Sequence, residues 1–115
     1  PDLLEEYRTV DWAASAMTPI VLPTVGTSLD DLLSRYSVPS EFDLLVVDVE
    51  GFESEVFGGF DLSLWSPKML IVELADAHPD LRSTTHEDEQ LSDAIVDHGY
   101  RIKYKDSVNT VFVRG

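Results

Sequence analysis

Acidic side chains recur at two places in this 115-residue sequence where the chain has just run through an apolar stretch. Asp48, Glu50 and Glu53 follow Leu44-Leu45-Val46-Val47, and Glu73 ends Met69-Leu70-Ile71-Val72, with Asp76 and His78 just beyond. Neighbouring carboxylates do chemistry of two kinds. One takes a proton from a substrate; the other holds a hard cation such as Mg²⁺ through oxygen ligands. For Asp48 and Glu50 the structural alternative is to cap the following helix through its free N–H groups and its dipole, and that is the reading taken for Glu53. Glu73 has a pocket role or, as the alternative, a backbone group or nearby cation for a partner. His78, followed by Pro79, is a candidate base or ligand, although a lone His in an acidic loop is more often solvated. His86 and His98 read as cap and helix-end residues.

The elements that must position these groups follow from pattern. Phe42 to Val49 is a near-continuous apolar run, which predicts a parallel strand buried on both faces, and Met69 to Leu74 predicts a second. Phe52 to Phe57 suits a short helix stopped by Gly58-Gly59, and Leu62 to Trp65 one more turn before Pro67. Leu91, Ile95 and Val96 sit at helical spacing behind Glu87-Asp88-Glu89, with Gly99 as the stop. Upstream, Ser28 with Asp31 three positions on predicts a capped helix from about Leu29 to Tyr36. Ile20 to Val25 is β-rich, but Pro23 makes it an edge strand or extended connection. Leu3 to Ala16 is a helix or irregular lead-in. Tyr100 to Lys105, a turn at Asp106 to Asn109, and Thr110 to Val113 predict a β-hairpin. Its first strand alternates with Lys and Arg as a protected edge, and its second is interior. The expected sheet has the spatial order first, second, fourth, third, with helices on both faces.

Composition bounds the function. Twenty-two acidic against eight basic residues give a net charge of −14, a field that repels phosphate backbones and anionic lipid, so neither nucleic acid nor a membrane surface is an expected partner. Half of the basic residues (Arg101, Lys103, Lys105, Arg114) lie in the last fifteen positions. Arg101, Lys103 and Lys105 are read as the solvated face of the edge strand. With 43% hydrophobic residues the chain fills one core, and Trp65, Phe57 and Phe60 belong to it. The absence of Cys fits a reducing, cytoplasmic setting. Pro1 opens the chain with no initiator Met, and a piece of a longer protein is the expectation.

The predicted ending, an antiparallel strand slipped into a parallel sheet beside a charged edge, resembles that of class I methyltransferases. Thr27-Ser28-Leu29-Asp30-Asp31-Leu32-Leu33, Asp43-Leu44-Leu45-Val46-Val47-Asp48-Val49-Glu50-Gly51-Phe52-Glu53 and Ile71-Val72-Glu73-Leu74 resemble the FkbM family in wording and spacing. His98-Gly99-Tyr100 and Asn109-Thr110-Val111-Phe112-Val113 are similar to that family's ending, so the resemblance runs from about Thr24 to Arg114. One departure is Val47, where the family often has Lys before the acid.

The resemblance implies an α/β fold: the C-terminal half of a class I methyltransferase (Rossmann-like) sheet, mostly parallel with an antiparallel last strand. It would form a single partial domain over 1–115, with 1–26 as lead-in. It implies S-adenosylmethionine as methyl donor and a small molecule or sugar as acceptor, methylated on oxygen or, as a lesser choice, nitrogen. Asp48 and Glu50 would line the acceptor pocket as the catalytic pair, and Glu73 and His78 would contact substrate; Mg²⁺ stays open. A class I methyltransferase holds its cofactor over a Gly-rich loop after its first strand. Gly26, Gly51, Gly58, Gly59 and Gly99 are scattered, with no GxG after a strand. The chain alone is therefore expected neither to bind the cofactor tightly nor to methylate. Two other classes stand beside this reading: a metal-dependent glycosyltransferase fragment using Asp48 and Glu50, and a non-catalytic methyltransferase-like interaction module. Leu44 to Val47 would be central in a complete sheet, so an exposed edge there predicts a homodimer through that strand.

Overall fold

The structure is a computed structural model, and it describes residues 21–74 and 85–115. The lead-in Leu3 to Ala16 lies outside them. Residues 21–28 form an extended connection with no strand pairing, and Val21 and Val25 are almost wholly exposed. Helix α1, Leu29–Arg35, begins where Ser28 Oγ accepts from the Asp31 N–H at 3.1 Å, the predicted cap, with Asp30 and Asp31 in its first turn and Arg35 in its last. Its Asp30 carboxylate reaches across the chain: Oδ1 accepts from the Asp61 N–H at 2.8 Å and from the Trp65 indole N–H at 2.9 Å. Gly59 makes that approach possible. A Cβ there would stand 3.1 Å from Ser28 Cβ, and its carbonyl accepts from the Asp30 N–H.

Strand β1, Leu44–Val47, leads through a turn into α2, Glu53–Gly58, then the single turn α3, Leu62–Trp65, capped by Asp61. Strand β2, Met69–Glu73, precedes α4, Thr85–Asp97. Gly99, at φ +94°, supplies the left-handed residue that turns α4 into β3, Tyr100–Lys105, and β4, Asn109–Arg114, closes the hairpin. Asp106 Oδ1 holds its turn by accepting from the Val108 and Asn109 N–H groups.

The sheet order is β1-β2-β4-β3, as the pattern predicted, with β4 inside and antiparallel to both neighbours. By pairing it is a mixed sheet. In direction β1, β2 and β3 run the same way and β4 runs against them, while by pairing only β1 with β2 is parallel among the described residues.

Register sorts the side chains onto two faces, because cross-strand partners share a face and alternate residues change it. Val47 with Val72, and Leu70 with Phe112, lie on one face and are buried. Leu62, Trp65, Leu91 and Ile95 from the helices and Phe60 from the connection between α2 and α3 join that same cluster, with Leu29, Leu33, Val56 and Phe57 packed against it. All four described helices therefore cover one face. The other face carries the rows Leu44-Met69-Val113-Arg101 and Val46-Ile71-Val111-Tyr104. Its middle is half-buried, and its β1 margin is open, with Leu44 at 47% and Val46 at 57% exposure.

Two expectations are thus corrected. Helices do not lie on both faces among the described residues, and β1 is not buried on both faces. An apolar run records the β habit and says nothing of whether a second layer is in place.

Candidate functional site

Parallel pairing of β1 with β2 brings the carboxyl ends of both strands level, and Val47 is in register with Val72. Asp48 leaves β1 beside Glu73 at the end of β2. The turn that follows doubles back: Glu50 has φ 54° and Gly51 φ 95°, two successive left-handed residues. Glycine adopts this freely, whereas at Glu50 it costs of order 1 kcal/mol. The result is that Asp48, Glu50 and Glu73 each offer a carboxylate oxygen within 4.8 Å of the others. In sequence these groups follow two separate apolar runs; parallel register brings them together. Asp76 and His78 lie outside the described residues.

Glu53 does more than cap a helix. It is the first residue of α2 and nearly fully buried, with Oε1 accepting from the Val49 N–H at 3.3 Å and the Gly51 N–H at 3.4 Å. It therefore braces the turn that carries Glu50. Its Oε2 is buried with no hydrogen-bond partner among the described residues. Burial pushes this carboxyl above its usual range, against the pull of the backbone N–H groups. The sequence signal for this role is the tight spacing of three acids around Gly51, which leaves the last one directly beneath the turn.

Glu73 is shifted furthest. A hydrogen bond with the Asp48 carboxyl, then partial burial, then the negative charges of Asp48, Glu50 and Glu53 push it up to about 8. Glu73 thus carries a proton at neutral pH and donates it toward Asp48. An all-oxygen donor set of this kind suits a hard cation such as Mg²⁺. Exposed acids also cluster without one, and nothing else among the described residues points to an ion. Beside the turn, a groove of about 440 Å³ is lined by Leu29, Leu32, Val49, Phe52 and Val56, with Phe52 half exposed.

The remaining candidates fall into structural roles. Trp65 and Phe60 are core, and Phe57 meets Phe60 edge to face at 5.9 Å. His98 sits at the C-terminal end of α4 with Nδ1 2.7 Å from the Ala94 carbonyl oxygen, and His86 is exposed in its first turn. Arg101, Lys103 and Lys105 are exposed on β3.

The model of the methyltransferase FkbM domain family matches residues 16–102, more than half of the chain and the whole of the acid cluster. This chain belongs to the FkbM methyltransferase domain family. The match ends inside β3, so the closing strand β4 lies outside it. No curated protein and no solved structure matches the chain. Membership sets methyl transfer above the nucleotide-sugar reading of Asp48 and Glu50. FkbM membership also implies a methyl donor of the S-adenosylmethionine type. The described residues do not fit the task of cradling such a donor. A Cβ at Gly26, Gly58 or Gly99 would meet nothing within 4 Å, so none of these is a close backbone approach, and no GxG occurs in the 115 residues. No helix among the described residues is long and apolar enough to cross a membrane.

Proposed function

We propose that this chain is the C-terminal part of an S-adenosylmethionine-dependent O-methyltransferase domain, and that its acid cluster faces the methyl acceptor. The observation carrying this is the convergence of Asp48, Glu50 and Glu73 at the carboxyl ends of two parallel strands in an FkbM domain. In open α/β sheets that end is where ligands collect. Asp48 and Glu50 orient an acceptor hydroxyl and take its proton, while Glu73, holding its own proton, turns its hydrogen bond from Asp48 to an acceptor oxygen when the acceptor binds. A hydroxyl-rich acceptor, such as a sugar or a small polar molecule, suits this mixture of acceptors and one donor. The groove beside Phe52 would take its apolar part.

The role of this chain is alignment and water exclusion, since methyl transfer needs no covalent enzyme intermediate. The cofactor's own cradle lies outside these residues in this reading, and the setting is cytoplasmic. The test is a methylation assay on the complete enzyme carrying Asp48→Asn or Glu50→Gln. A loss of roughly 10²–10⁴-fold in kcat/KM with unchanged folding supports the acceptor role. Unchanged activity in both variants returns the pair to a structural role, and an inactive native enzyme that still binds a protein partner favours the interaction module.

A further inference from the structure

The turn between β1 and α2 has two features that stability alone does not ask for. The Phe52 N–H donates to the Val49 carbonyl oxygen at 3.3 Å, and the two residues between them, Glu50 and Gly51, have φ 54° and 95°. Two central residues at positive φ mark a type I′ turn, whose first central position favours Gly, Asn or Asp. Glu50 stands there instead. A Gly would form the same turn without the strain. The second feature is Glu53, a carboxyl only 1% exposed, and burial of such a group is unfavourable unless its oxygens are satisfied. Oε1 accepts from the Val49 and Gly51 N–H groups, whereas Oε2 has no hydrogen-bond partner among the described residues.

The two N–H groups flank the strained residue. The Val49 N–H belongs to the peptide bond that follows Asp48, and the Gly51 N–H to the one that follows Glu50. One oxygen of Glu53 therefore fixes the peptide plane leaving each acid. With both planes held, Glu50 keeps its left-handed conformation and its carboxylate stays within 4.8 Å of those of Asp48 and Glu73. Without that hold Glu50 relaxes toward the negative φ of ordinary residues, which redirects its side chain. A turn built for stability alone would need neither the strained Glu nor the buried carboxyl. Both are accounted for if the turn exists to place Glu50.

We propose that Glu53 is a positioning residue for the acid cluster, holding Asp48 and Glu50 toward Glu73 by clamping the peptide group after each of them against the strain at Glu50. The clamp itself is geometry within the turn and β2. Its bearing on methyl transfer rests on the function proposed above, and the experiment separates the two.

Carbon-13 NMR of the Glu73 carboxyl in the full-length protein reads the clamp directly, because Asp48 and Glu50 beside it push its titration up to about 8. Glu53→Ala should lower that midpoint toward 4.5 by at least about one pH unit, while Glu53→Gln, which keeps an oxygen acceptor, should stay well above it. Both variants remove the Glu53 charge, so the difference between them reads position. Equal midpoints overturn the proposal, since a role in folding alone would not separate two folded variants. If Glu53→Ala does not fold, urea unfolding of two other variants decides. Glu50→Gly should unfold at higher urea than Glu50→Gln, which matches it in charge, and should lessen the loss that Glu53→Ala causes. A Glu50→Gly variant no more stable than Glu50→Gln overturns the proposal, because no strain is then held at that residue. Methyl transfer from S-adenosylmethionine by the same proteins tests the functional reading separately. A lowered Glu73 midpoint in Glu53→Ala with unchanged kcat/KM supports the clamp and removes the acceptor role of the acids.

Discussion

Glu73 and Asp48 stand one strand apart at the carboxyl ends of β2 and β1, each with a carboxylate oxygen within 4.8 Å of the other's. Two carboxyls so close share a proton more readily than they both ionise, which is what lifts Glu73 to about 8 from 4.5. The folded state then binds a proton between those values that the unfolded chain has released. Stability from this group is present below about 4.5 and is lost as pH rises toward about 8. Thermal melts between pH 5 and pH 9 should fall with pH, and Glu73→Gln should flatten that fall. An unchanged pH slope in Glu73→Gln would remove Glu73 as its source.

Glu53 braces the acid turn through two backbone N–H groups. Glu53→Ala leaves both without that acceptor and should destabilise the fold by about 2 kcal/mol in urea unfolding, within the range for buried groups left unsatisfied. Glu53→Gln keeps an acceptor and should lose less. Equal losses would mean that the acceptor is not what matters.

Asp30 ties α1 to the stretch after Gly59 through the Asp61 N–H and the Trp65 indole. Asp30→Ala strands the buried indole donor. The expected cost is about 2 kcal/mol, read by urea unfolding followed through circular dichroism. A change below about 0.5 kcal/mol, the size of an ordinary surface substitution, would show that the link is not used.

S-adenosylmethionine should bind this chain only weakly. Each missing hydrogen bond to the donor forfeits roughly 0.5–1.5 kcal/mol, and several together move a micromolar affinity to millimolar or weaker. The acidic corner adds repulsion toward the donor's carboxylate. Calorimetric titration is the check, and micromolar binding would mean that the 115 residues do build a donor site.

The sequence by itself determined the local elements and the family. The Ser28 cap, the apolar runs of β1 and β2, the Gly99 stop and the alternation in β3 each act within a few residues, so they are legible in order along the chain. The acids after β1 were legible as candidates for the same reason, and strand order followed from the guarded edge and the interior Val-Phe-Val. The meeting of Asp48, Glu50 and Glu73 is a different matter. It depends on parallel register and on a left-handed residue at Glu50, a conformation the side chain itself disfavours. Glu53 braces the turn as well as the helix start because burial and the fold of that turn chose its further partners. Only tertiary structure decided which sheet face the helices cover. Val46 and Val47 are the same residue type in adjacent positions, one 57% exposed and the other 4%, and what separates them is the presence of helices on one side alone.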